Sequence, residues 1–304
     1  MQGGCKLDVM IKHRVINELM FLLKMIIAFG IGVLIVFGAS HLLGGVLAEK
    51  ELEMALNQQE ISKAMLELIG MQQLAQFPAS IEVFFLLVLV LNLIVVCVII
   101  AHSVHAMRRN LEQGAFGFLF VQVTKKHIYF IIELLRTLVV AFCTWGFYVV
   151  ALFVTAAFLL SDAELLVADK VYEILSTMSI WGIAIVLLFV AIAVLYGIVQ
   201  GYRMHQVDFG LAIIGVGFVI GNAYKIPQYI GQKQIEQMVN AQETMEIMRM
   251  MKTLRIACPF SWLNPYNIYN HVLDAGILWI YVAVALLVFA IAGAVFCLRD
   301  WWEV

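Results

Sequence analysis

Residues 80–106 read SIEVFFLLVLVLNLIVVCVIIAHSVHA, and this stretch decides the fold. Between Glu82 and His102, only Asn92 and the thiol of Cys97 interrupt a continuous run of apolar side chains. A helix needs about 20 mainly apolar residues to cross the hydrocarbon core of a bilayer, so this one is long enough. A transmembrane barrel would alternate apolar and polar residues over segments of about ten. Here there is no alternation, and the stretch reads as a membrane-spanning helix.

Comparable runs lie at 19–48, 129–160, 177–200, 209–228 and 273–298, the fifth span (209–228) being short and glycine-rich. With 80–106 they predict an all-α integral membrane protein of six transmembrane helices, forming a single transmembrane domain over 1–304. Composition agrees. Of 304 residues, 63% are hydrophobic and 13% charged, and the mean hydropathy is +0.97. A soluble domain carries about 25% charged and about 45–50% apolar residues. The net charge of −2, with no basic run, gives no footprint for nucleic acid. Residues 1–18 are polar and basic, and the apolar run after them is about twice a signal-peptide core of 7–15 residues. It therefore reads as the first span rather than a cleaved leader.

Two loops carry helical patterning of their own. In 49–79, Leu52, Leu56, Leu66 and Ile69 fall at roughly helical spacing, and no proline occurs before Pro78. In 229–272, the stretch from Gln232 to Leu254 lacks Gly and Pro and carries Ile235, Met238, Val239, Ile247, Met248 and Met251. Both predict amphipathic helices at the membrane surface. Their methionines suit an adaptable packing surface. A soft-metal site would need His or Cys beside them, so no metal is expected. The five cysteines form no C-x-x-C pair, and three of them lie inside apolar runs, so neither disulfide nor metal is expected there.

Orientation follows from Lys and Arg in the short loops. Lys6, Lys12 and Arg14 precede the first span, and Arg108, Arg109, Lys125 and Lys126 follow the second. Arg203 follows the fourth and Arg299 the last. The opposite loops carry Lys50, Lys63 and Lys170 alongside Glu49, Glu51, Glu53, Asp162, Glu164 and Asp169. Both termini are therefore expected in the cytoplasm. The basic residues of 229–272 run against this count, but long loops obey the rule less strictly.

No P-loop, H-E-x-x-H or G-x-S-x-G pattern occurs, so no catalytic residue is expected in this chain. Within the spans the main polar residues are Lys24, Asn92, Glu133 and Arg136. Glu133 and Arg136 are three apart on one helix and can neutralise each other. His41 and His102 lie near span ends and read as structural. Gly197-Ile-Val-Gln-Gly201 and Gly217-Phe-Val-Ile-Gly221 are spaced for close approach between helices.

Three short patterns resemble the ABC-2 family of ABC transporter permeases. Glu112-Gln113-Gly114-Ala115-Phe116 resembles its E-x-G-T segment, with Lys125 and Lys126 where the family has a basic turn. Cys258-Pro259-Phe260-Ser261-Trp262 resembles its S-P-F-x-Y, and Leu298-Arg299-Asp300 its closing R-D. Ala115 replaces the usual threonine, and the proline before the basic turn is missing. The resemblance implies the permease subunit of an exporter in a cell membrane, here a bacterial cytoplasmic one. It implies a second permease subunit, identical or paralogous, and two copies of a separate ATPase that binds ATP and Mg. Membrane lipids surround the complex. It also implies coupling to the ATPase through Glu112, Gly114, Phe116, Phe118, Phe120, Lys125 and Lys126. The translocation path then runs beside spans two and five, with Asn92 and Asn222 nearest to it. Read by themselves, the aromatic residues of this loop suit either a docking knob or a helix lying in the headgroups. A secondary transporter working without ATP, and a non-transporting scaffold subunit, remain open alternatives, although no internal repeat is evident.

Overall fold

The computed structural model describes residues 3–48, 77–112, 126–161, 165–200, 258–269 and 276–298, with 212, 249 and 253 besides. Every element among them is helical: α1 (Gly3–Ala48), α2 (Ala79–Glu112), α3 (Lys126–Leu159), α4 (Leu165–Gln200), a short 3-10 turn (Pro259–Leu263), α5 (Pro265–Tyr269) and α6 (Gly276–Leu298). Five helices, α1 to α4 and α6, are long and apolar enough to cross a membrane. The expected fifth span at 209–228 and both loop helices lie outside the described residues.

The prolines punctuate these elements. Pro78 stands immediately before α2, and its carbonyl accepts from the amides of Ile81 and Glu82. Pro259 and Pro265 each occupy the first position of a short helix, where the missing amide proton costs nothing. No proline falls within a described span, so the backbone ladders run unbroken. Hydroxyls inside the spans are satisfied locally: Thr137, Thr144 and Thr155 of α3 donate to the carbonyls of Glu133, Val140 and Ala151, one turn back. With no water in the bilayer core, such bonds are what make a hydroxyl tolerable there.

Two helices begin earlier than the sequence predicts. α1 starts at Gly3 rather than near 19, and α4 at Leu165 rather than near 177. For α4 the physical reason is visible. Asp169, Lys170 and Glu173 suggest a loop, but no Gly or Pro breaks the chain between Leu165 and Trp181. Val171, Ile174 and Leu175 are buried, and Tyr172 stacks on Phe153 of α3 with ring centroids 6.1 Å apart.

α4 is the central helix: 61% of its most apolar stretch is buried, against 6% for α1. Polarity follows from specific contacts. An added Cβ at Gly197, near the end of α4, would lie 3.1 Å from Met107 Cβ near the end of α2. Phe296 near the end of α6 packs on Phe130 at the start of α3. Glu18, early in α1, meets His102 of α2 and Arg136 of α3. These ends share one side of the bundle. α1 and α3 thus leave that side, while α2, α4 and α6 return to it. Large apolar side chains such as Leu34, Ile35, Val139, Phe158, Trp279 and Leu287 point outward. A belt of that kind belongs in lipid, and the chain is a multi-pass membrane protein.

Candidate functional site

Three features stand out in the bundle: a polar junction at mid-span, a charged cluster near one end and an apolar cavity between three of the helices.

The junction is built on Asn92. It sits about 18 Å along α2 from Ser80, at 1.5 Å per residue, close to the middle of the span. Its side chain is 0% exposed. Nδ2 donates to the carbonyl of Leu263 at 2.6 Å and approaches Met178 Sδ of α4 at 3.2 Å. Oδ1 accepts the hydroxyl of Tyr148 from α3 at 2.7 Å. One amide thus ties together α2, α3, α4 and the segment Cys258–Tyr269.

That segment is irregular backbone at membrane depth. Such backbone is tolerated only where protein encloses it and supplies its hydrogen bonds. Here both conditions hold. All its residues from Phe260 to Ile268 are buried. The Ser261 amide donates to the Cys258 carbonyl, and the Asn267 side chain to the Ser261 carbonyl at 2.9 Å. Asn264 Oδ1 accepts the Tyr266 amide at 3.0 Å, capping α5 in the manner usual for asparagine. Aromatic rings fix its depth. Phe260 packs on Phe189 of α4, and Trp262 lies edge-on to Trp181 of α4 and Tyr281 of α6. Farther along, the Tyr266 hydroxyl donates to the Glu82 carbonyl, and Tyr269 meets Phe77. The segment therefore runs from the interior outward to the end of α2 marked by Pro78.

The charged cluster joins α1, α2 and α3. Glu133 and Arg136 pair along α3, as their spacing predicts. Arg136 also lies 3.6 Å from Glu18, whose other oxygen is 3.0 Å from His102 Nε2. The four side chains are between 5% and 21% exposed. The His102 ring stacks on Phe21 with centroids 4.1 Å apart.

The cavity, of about 250 Å³, lies between α1, α2 and α3. Met25, Phe29 and Val36 of α1, Leu91 and Val95 of α2, and Leu152 of α3 line it, and its wall is almost wholly apolar. Gly32 also faces it, with nothing within 4 Å of where a Cβ would stand.

Of the residues singled out from sequence, Asn92 is at the junction, enclosed on all sides, and Cys258 to Trp262 form the start of the buried segment. Glu112 is the last residue of α2, and Lys126 the first of α3, partly exposed. Gly114, Phe116, Phe118, Phe120, Lys125 and Asn222 lie outside the described residues, as do Arg299 and Asp300. Sequence reasoning missed Glu18 as a site residue and took His102 as an isolated structural one. Tyr148, Met178 and Leu263 carried no signal, being ordinary residues for a span. Among the described residues no group of His, Cys, Asp and Glu could hold a metal ion.

No protein-family model matches the chain, and no curated protein or solved structure matches it.

Proposed function

We propose that this chain is the membrane-spanning permease subunit of an ABC exporter, driven by a separate ATPase. The observation that carries the reading is the placement of Cys258–Trp262. The segment that resembles the permeases' S-P-F-x-Y is packed among the spans immediately ahead of the last one, as a motif with a role in the membrane domain should be. Topology supports it. α4 and α6 run the same way, and the reading takes the expected span 209–228 as the crossing between them. Six crossings put both termini on one side, the cytoplasm by the Lys and Arg count. The apolar cavity between α1, α2 and α3 suits a hydrophobic or amphipathic cargo. Two copies of the permease, or this chain with a paralogue, pair above two ATPases. The ATPases bind ATP and Mg, and their closure switches the spans between inward and outward states.

A second reading, an ATP-independent secondary transporter, draws on the charged cluster, because ionisable residues inside a membrane mark ion pathways. Purification of the chain from its native membrane separates the two. The exporter reading expects an ATP-hydrolysing subunit in equal amount, and ATP-driven solute movement when both are reconstituted in liposomes. Solute movement by this chain alone, driven by an ion gradient without ATP, would sink it.

A further inference from the structure

The cavity between α1, α2 and α3 has a shape and a wall that select among occupants. Its α1 side runs from Met25 to Val36, roughly 16 Å at 1.5 Å per residue. A volume of about 250 Å³ drawn out over that length suits a flexible chain better than a ring system. An apolar cavity of about 150 Å³ already stays dry and takes up benzene. The two lining residues with hydroxyls have spent them: Tyr148 donates to Asn92, and Thr155 to the Ala151 carbonyl. A polar solute or a water would find no partner on this wall. Ala28 of α1 and Ile94 of α2 line the cavity and are also exposed, so it borders the outer, lipid-facing surface between those two helices.

A cation stands beside it. Lys24 is one turn before Ala28, on the same face of α1, and is exposed. Among the described residues it makes no ion pair, and Glu18, the nearest acid on α1, faces His102 and Arg136 instead. Lys24 lies within the span Val15–Leu43, on the side of the cavity nearer the charged cluster. A lysine in that position extends its stem along the apolar surface and carries its ammonium to the headgroups.

We propose that the cavity binds one acyl chain of an anionic phospholipid whose headgroup pairs with Lys24. A chain gains nothing hydrophobic by leaving lipid for protein. What it restores is contact, because atoms lining an empty cavity lack dispersion partners on one side. The charge then sets the preference among lipids, since anionic headgroups are drawn to cations at the membrane surface. The inference narrows what fills the cavity from a hydrophobic or amphipathic molecule to one kind of lipid. It rests on the cavity and on Lys24, not on the exporter reading, and it is tested without ATP or an ATPase.

The full chain is reconstituted in nanodiscs with trace phosphatidylglycerol or phosphatidylcholine carrying a diazirine in the acyl chain. After illumination, cross-links are mapped by peptide mass spectrometry. Phosphatidylglycerol should label cavity residues such as Val33 and Leu91 about fivefold more than phosphatidylcholine does, the preference that one lysine near an anionic surface supplies. Lys24→Gln should erase that preference. Gly32→Leu places a side chain in the cavity and should abolish cavity labelling by either lipid. Gly30→Leu is the control, because its side chain meets open space away from the cavity and should leave labelling unchanged. Should Gly32→Leu fail to fold, the comparison of the two lipids on wild type and Lys24→Gln still decides. Equal labelling of the wild-type cavity by both lipids, or a preference that survives Lys24→Gln, overturns the proposal. So do cross-links spread evenly over outward residues such as Leu34 and Ile35 and unchanged by Gly32→Leu, which would mark ordinary surrounding lipid.

Discussion

Asn92 donates to the carbonyl of Leu263 at 2.6 Å, across 171 residues of sequence. This bond fixes an irregular segment against the middle of a membrane-spanning helix, and the same side chain accepts from Tyr148. Asn92→Ala takes the side-chain donor from the Leu263 carbonyl and leaves the Tyr148 hydroxyl only the Val88 carbonyl, 3.4 Å away. A buried polar group left unsatisfied costs about 1–3 kcal/mol, although hydrogen bonds measured inside membrane proteins average about 0.6. The expected loss in reversible unfolding from micelles is therefore about 1–3 kcal/mol. Tyr148→Phe should cost less, because one partner remains to Asn92. The two residues share a bond, so the double variant should lose less than the sum. Strict additivity would show that the bond contributes nothing.

Gly182 leaves room for an indole. A Cβ added there would stand 1.9 Å from Cζ2 of Trp145. Gly182→Ala must push that ring away and break its donation to the Ser179 carbonyl at 3.2 Å. Overpacking of this kind costs about 1–3 kcal/mol. Gly30→Ala is the matched control, since nothing lies within 4 Å of its added methyl. It should be neutral or stabilising, as alanine favours helix by about 1 kcal/mol over glycine. A Gly182→Ala variant as stable as Gly30→Ala would mean that the Trp145 contact does not govern the site.

Orientation is open to labelling. Single cysteines introduced into 52–76 and 232–256 should react with an impermeant maleimide in intact cells, and those in 108–126 and 299–304 should not. The native Cys258 should stay silent, being buried. External labelling at Arg108 or Trp301 would invert the arrangement.

The five described spans were legible because apolar continuity is a local property of the sequence. Their packing was not. In lipid a helix is apolar on its outer face as well as its inner one, so α4, the most central helix, carries no stripe to distinguish buried Leu175 from exposed Ile180. Asn92 was conspicuous because amides are rare in spans, yet Tyr148 and Leu263, its partners, look like any other span residues. Charges misled at two boundaries. Asp169 and Lys170 read as loop, but a helix extending beyond the hydrocarbon core tolerates them. Glu18 read as the edge of the first span, and only the folding of α1 against α2 and α3 brings it to His102 and Arg136. The G-x-x-x-G spacing at Gly197 did find a true close approach: an added Cβ there would lie 3.3 Å from the Val104 carbonyl oxygen.

Energy coupling, under the exporter proposal, belongs to the connection between α2 and α3. Motion passes between subunits through packed contacts, and this connection joins two helices that both meet the central α4. Phe116, Phe118 and Phe120 offer apolar area for a groove on the ATPase, and Glu112 offers a carboxylate for a hydrogen bond or ion pair. Truncating an aromatic anchor at an interface costs at least about 2 kcal/mol, which weakens binding by roughly 30-fold. Phe116→Ala and Glu112→Ala should therefore lower ATPase association and substrate-stimulated hydrolysis in the reconstituted complex, while thermal unfolding of the membrane domain stays at the wild-type midpoint. Asn110→Ala, outside the proposed knobs, should do less. If the double variant at Glu112 and Phe116 associates with the ATPase and transports at wild-type rates, coupling runs through another part of the chain and the resemblance at this loop carries no function.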